Sequence, residues 1–136
     1  MAGSLKGLAG SILATLAVRW AAVTILDIPP EFIPLASPGP TILFTAVGAL
    51  GAAVVFGFVR RRAERPEHVF RWIAGVVLLL TFLPDQWLLS DGAAGTFPAA
   101  TATAVAVLMF MHVVAAAVIV WFLTVSNQSE PNPSEP

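Results

Sequence analysis

Three ionisable side chains in this sequence stand where their chemistry is costly. Arg19, Asp85 and His112 lie within or at the end of otherwise apolar runs. A guanidinium in hydrocarbon costs a few kcal/mol even on lenient insertion scales, so Arg19 must either reach the headgroups or meet an acid. Asp85 is one candidate acid. Counted up their helices from one membrane face at about 1.5 Å per residue, Arg19 and Asp85 lie at matched heights of about 21 and about 22 Å. Asp27 is the other candidate, further along the same run as Arg19 and nearer the surface.

His112 is flanked by Met109, Met111, Val113 and Val114. A histidine in such a setting is a candidate for proton relay or ligand contact. It could equally be structural, bonded to a helix carbonyl or to a threonine such as Thr15 or Thr81. Leu108, Ala115 and Ala116 make a narrow face around it, which predicts a ring pointing into a bundle rather than toward lipid. Measured from the outer end of its run, His112 lies about 21 Å deep, while both aspartates lie near the outer surface. This predicts a sealed, singly hydrogen-bonded histidine that touches neither aspartate.

Other chemistries are not written in the chain. With no cysteine there are no disulfides, thiolate ligands or cysteine nucleophiles. No phosphate-binding loop, zinc-protease, nucleophile-elbow or dinucleotide motif is present. No carboxylates pair for acid–base work, so no catalytic residues are assigned and an enzyme is not expected. Haem fits poorly, because the second histidine, His68, lies in a basic loop at a different depth. No cofactor or metal is expected. The net charge of -1 gives no basis for nucleic-acid binding.

The elements that must position these residues are membrane helices. Of the 136 residues 57% are hydrophobic and only 11% charged, too little charge to solvate a soluble domain. A span needs roughly 20 apolar residues, and four runs qualify, at about 5–28, 41–59, 69–89 and 98–125. The first is read as a retained helix rather than a signal peptide, because it resumes after Arg19 without a small-x-small cleavage site. Between the first two runs, Pro29, Pro30, Pro34, Pro38 and Pro40 punctuate a loop. Phe32, Ile33 and Leu35 make it apolar enough to lie at the interface or over the bundle. In the third run, Pro84 predicts either a kinked continuation or an early end. Residues 126–136 are Ser, Asn, Glu and Pro, a composition that predicts a disordered polar tail.

The fold class expected is therefore an all-α membrane protein, a single domain over 1–125 forming a four-transmembrane-helix bundle. Five of the seven basic residues lie between Arg60 and Arg71. The positive-inside rule then makes residues 60–71 cytoplasmic, and with four spans both termini join them. Trp72 and Trp121 then fall at the inner interface and Trp87 at the outer one. Small or polar residues recur every fourth position in the first run (Gly3, Gly7, Ser11, Thr15, Arg19, Val23, Asp27) and in the second (Thr41, Thr45, Ala49, Ala53, Gly57). Such stripes let membrane helices approach closely, so these two are expected to pack together.

Residues 70–72 (Phe-Arg-Trp), 78–85 (Leu-Leu-Leu-Thr-Phe-Leu-Pro-Asp) and 106–116, with Met111-His112 followed by small apolar residues, form an ordered set. In this the chain resembles the small four-helix membrane proteins of the family of unknown function DUF6069. The layout agrees over about 5–125. The resemblance implies four helices and marks Pro84, Asp85 and His112. It implies no activity.

The expectation for function is a non-enzymatic integral protein of the cell membrane, an accessory or interaction subunit. Its partners would be the lipid bilayer and either a second copy of the chain or another membrane protein. The alternative is a small transporter or channel using Arg19, Asp85 and His112. A transporter requires a hydrated cavity reaching all three; a structural subunit requires them sealed and paired.

Overall fold

The computed structural model describes residues 2–92 and 99–128. Five helices run along the chain: α1 (Ala2–Ile25), α2 (Ile33–Ala36), α3 (Pro38–Arg62), α4 (Pro66–Trp87) and α5 (Ala102–Gln128). Among the described residues there is no strand. Four helices, all but the short α2, are long and apolar enough to cross a membrane. Even α4, the shortest of the four, rises about 33 Å, enough to cover roughly 30 Å of hydrocarbon.

The boundaries follow from local chemistry. Proline stands at the first turns of α3 and α4, where its missing amide is no loss. Arg60, Arg61 and Arg62 occupy the last turn of α3, where cations suit the helix dipole. The Ala63 amide donates to the Val59 carbonyl at 2.9 Å and closes that helix. At the start of α5, Ala99 has φ 66°, which no right-handed helix contains. Thr101 then caps α5, its Oγ1 accepting from the Ala104 amide at 3.2 Å. That helix therefore begins later than residue 98, which itself lies outside the described residues. It also runs on to Gln128, so the polar tail begins no earlier than residue 129; residues 129–136 lie outside the described residues, as does 93–96 of the loop after α4.

The four long helices form a ring in which α1 touches α3, α3 touches α4, α4 touches α5, and α5 returns to α1. The most extensive contact is between α1 and α5, not between α1 and α3 as the two stripes suggest. A Cβ built on Gly7 would lie 3.3 Å from Phe122 Cβ, so α5 fills the space that this glycine leaves. The stripe itself winds, because a spacing of four residues turns about 40° further each step. Ser11 and Thr15 are consequently buried while Val23 and Asp27 face outward. On α3, Thr41 and Ala49 are buried but Gly57 meets nothing. Contact between α1 and α3 does exist, marked by Thr15 Oγ1 and Thr45 Oγ1 at 3.2 Å.

Packing concentrates at two ends. Near the arginine loop, Phe56 and Phe70 meet with ring centroids 4.9 Å apart, joined by Ala49, Ile119 and Leu123. At the opposite end the proline-rich segment folds over the bundle. Phe32 and Leu35 are almost fully buried there against Ala22, Leu88, Ala104 and Val105. The exterior between is apolar: Leu13, Leu43, Leu79, Phe110 and Trp121 are all more than half exposed. Such a surface suits hydrocarbon, not water.

Candidate functional site

Between the two packed ends lies a cavity of about 680 Å³, within the size range of small-molecule and cofactor sites. Its floor comes from α5 and Thr15 of α1, and none of these floor residues is exposed. Its rim comes from α3 and α4, where Phe44, Val77 and Trp87 are exposed. The cavity therefore opens sideways along the α3–α4 seam. Gly48 and Gly51 help to create it, since a Cβ on either would meet nothing within 4 Å.

One polar pair occupies its wall. His112 Nδ1 lies 2.8 Å from Asp85 Oδ2, with the carboxylate side chain 5% exposed and the imidazole 35%. A short contact of this kind fixes the ring, and with Nδ1–H donating to the carboxylate Nε2 is left as an acceptor. Nε2 has no hydrogen-bond partner among the described residues and is not shut away from the cavity. Asp85 can take this position because α4 runs through Pro84 to Trp87 instead of ending at the proline.

Polarity is not evenly spread. Thr41, Thr45, Thr15, Thr81, Asp85 and His112 all line the half nearer the proline-rich cap. Thr15 Oγ1 donates to the Ser11 carbonyl and Thr81 Oγ1 to the Leu78 carbonyl, so neither serves His112. Thr41 Oγ1 is buried with no partner among the described residues. The half nearer the arginine loop is lined by Val55, Phe70, Ile73, Ile119 and Val120, without a polar side chain.

The chain matches, over residues 2–129, the family model described as Family of unknown function (DUF6069). It belongs to that family. No curated protein and no solved structure matches it. Membership in DUF6069 brings no activity with it, so the site must be read from its own residues.

In this DUF6069 member two sequence-based expectations are overturned. Asp85 meets His112, not Arg19, and His112 is neither sealed nor free of aspartate. The depth argument failed because it measured from the outer helix ends, which are ragged. Measured from the arginine-loop end, Asp85 lies about 28 Å along α4 and His112 about 24 Å along α5, which is a match. Arg19 and Asp85 also share a height, but α1 and α4 stand on opposite corners of the ring. Arg19 instead donates from Nη2 to the Leu35 carbonyl at 2.9 Å, beneath the cap. Its Nε is buried without a partner among the described residues. Arg19 is absent from the cavity wall, so the structure brings together two of the three sequence candidates and leaves the third apart.

Thr41, Thr45 and the Leu35 carbonyl were not singled out by the sequence as partners. The two threonines were visible as members of a small-residue stripe, while a backbone acceptor leaves no mark in a sequence. Among the described residues no three of His, Asp and Glu gather as metal ligands.

Proposed function

We propose that the chain is a non-enzymatic multi-pass protein of the cell membrane, an accessory subunit whose recognition site is the α3–α4 groove. The basic connection Arg60–Arg71 and both termini face the cytoplasm in this reading, by the excess of arginine in that short loop. The observation that carries it is the shape and polarity of the cavity. It is open sideways, apolar along half its length, and polar only at the end where four threonines surround the bonded pair of Asp85 and His112. An aqueous conduit needs polar groups spaced across the whole bilayer. Here the phenylalanine and isoleucine cluster near the arginine loop offers none, and Arg19 is held away under the cap.

Two measurements test this. Protein purified from its native membrane in mild detergent should carry a bound component at one per chain by native mass spectrometry. Gly51→Phe, which puts a ring into the groove, should lose that component and keep its helical content. Reconstituted in liposomes, the wild type should pass protons and potassium no faster than protein-free vesicles. Flux abolished by Asp85→Asn or His112→Phe would replace the binding role with a transporter.

A further inference from the structure

Resting on the reading of the groove as a recognition site, we infer that its occupant is a membrane-soluble amphiphile carrying one hydroxyl, which donates to His112 Nε2. Three observations converge on this class. The volume of about 680 Å³ suits a single small molecule rather than a polypeptide helix. The wall is divided, with Val55, Phe70, Ile73, Ile119 and Val120 at one end and the threonines with Asp85 and His112 at the other. Such a wall matches a ligand with an apolar body and a polar end. The mouth faces the α3–α4 seam, where the exposed exterior is apolar, so entry is from the lipid side and not from water.

The hydrogen-bonding groups narrow the polar end to a donor. With the Nδ1–H of a neutral ring donating to Asp85 at 2.8 Å, Nε2 is an acceptor, and it has no partner among the described residues. A hydroxyl donates to Nε2, whereas an ether or a hydrocarbon leaves it unmet. Two kinds of lipid carry this chemistry, alcohols of the polyprenol type and phenols with an apolar tail.

The test uses the full chain in mild detergent and follows thermal unfolding by circular dichroism, since a ligand that binds only the folded state raises the Tm with concentration. Geranylgeraniol and α-tocopherol are the alcohol and phenol probes, each compared with its methyl ether. The expected result is a saturable rise in Tm with one or both hydroxyl forms, and half-saturation at roughly tenfold higher concentration for the ether. His112→Phe should bind hydroxyl and ether alike, and His112→Gln, which keeps an acceptor, should recover part of the preference. Gly51→Phe should bind neither. The unliganded melt of each variant, read in the same experiment, reports its folding. Equal affinity of hydroxyl and ether for the wild type would mean that any acyl chain fills the groove, and would overturn the inference. Retention of the preference in His112→Phe, or no binding of either hydroxyl probe, would overturn it as well. None of these results touches the one-per-chain component or the flux measurement, so failure of the ligand class is distinguishable from failure of the accessory role.

Discussion

The imidazole of His112 and the carboxylate of Asp85 belong to different helices, 27 residues apart in sequence. Each satisfies the other in a setting where an unpaired polar group is costly. Their coupling is measurable. In a double-mutant cycle on equilibrium unfolding in detergent, Asp85→Leu and His112→Phe should be non-additive by about 1–2 kcal/mol. Arg19→Leu with Asp85→Leu should be additive within about 0.5 kcal/mol, because these two do not meet. Arg19 has a different task. Its bond to the Leu35 carbonyl pins the segment that carries Phe32 and Leu35 into the core. Arg19→Leu should destabilise by about 1–3 kcal/mol by leaving that carbonyl unmet. The loss should appear as faster hydrogen exchange at Phe32 and Leu35, whose amides are otherwise bonded within the cap. Unchanged exchange there would show that the guanidinium does not hold the cap.

The helices differ in how much each depends on its small residues. On α1, Gly7 lies against Phe122 Cβ, an atom close to the backbone that cannot swing aside. Gly7→Leu should therefore push α1 and α5 apart, at about 1–3 kcal/mol. Gly57→Leu on α3, where a Cβ meets nothing, should be tolerated. Comparing the two in detergent melts separates close packing from mere composition. Equal losses would mean that the α1–α5 contact is not close-packed at Gly7. The same contrast explains the groove. Gly48 and Gly51 face open space on the α3–α4 side, so glycine there removes bulk without admitting a neighbouring helix.

For the molecule as a whole, the connection of α3 to α4 takes only residues 63–65, so these helices must run antiparallel as neighbours. With four spans, a reporter fused after Gln128 should lie on the cytoplasmic side and one inserted at Asp91 on the opposite side. Reporters on the same side would contradict an even number of spans. The ring order also decides which residues can meet. Helices α1 and α4 are diagonal, so the groups they carry are held apart by the packing between α3 and α5.

Several properties were fixed by composition and local pattern. The four spans needed only run length and apolar content, because hydrocarbon demands about 20 apolar residues whatever the neighbours. The apolar cap was legible from Phe32 and Leu35 between prolines, and the candidates Asp85 and His112 from their cost in an apolar run. Which of those candidates meet was not legible. Height along a helix follows from residue number, but the direction of a side chain around the axis and the identity of the adjacent helix do not. Matched height therefore suggested Arg19 with Asp85, and the ring placed them on opposite corners. The stripes on α1 and α3 suffered the same ambiguity, since a small face permits close approach without naming the helix that takes it. The cavity is the clearest case. It exists because the α3–α4 seam stays open while α1 and α5 close, a balance among four pairwise contacts that no single helix encodes.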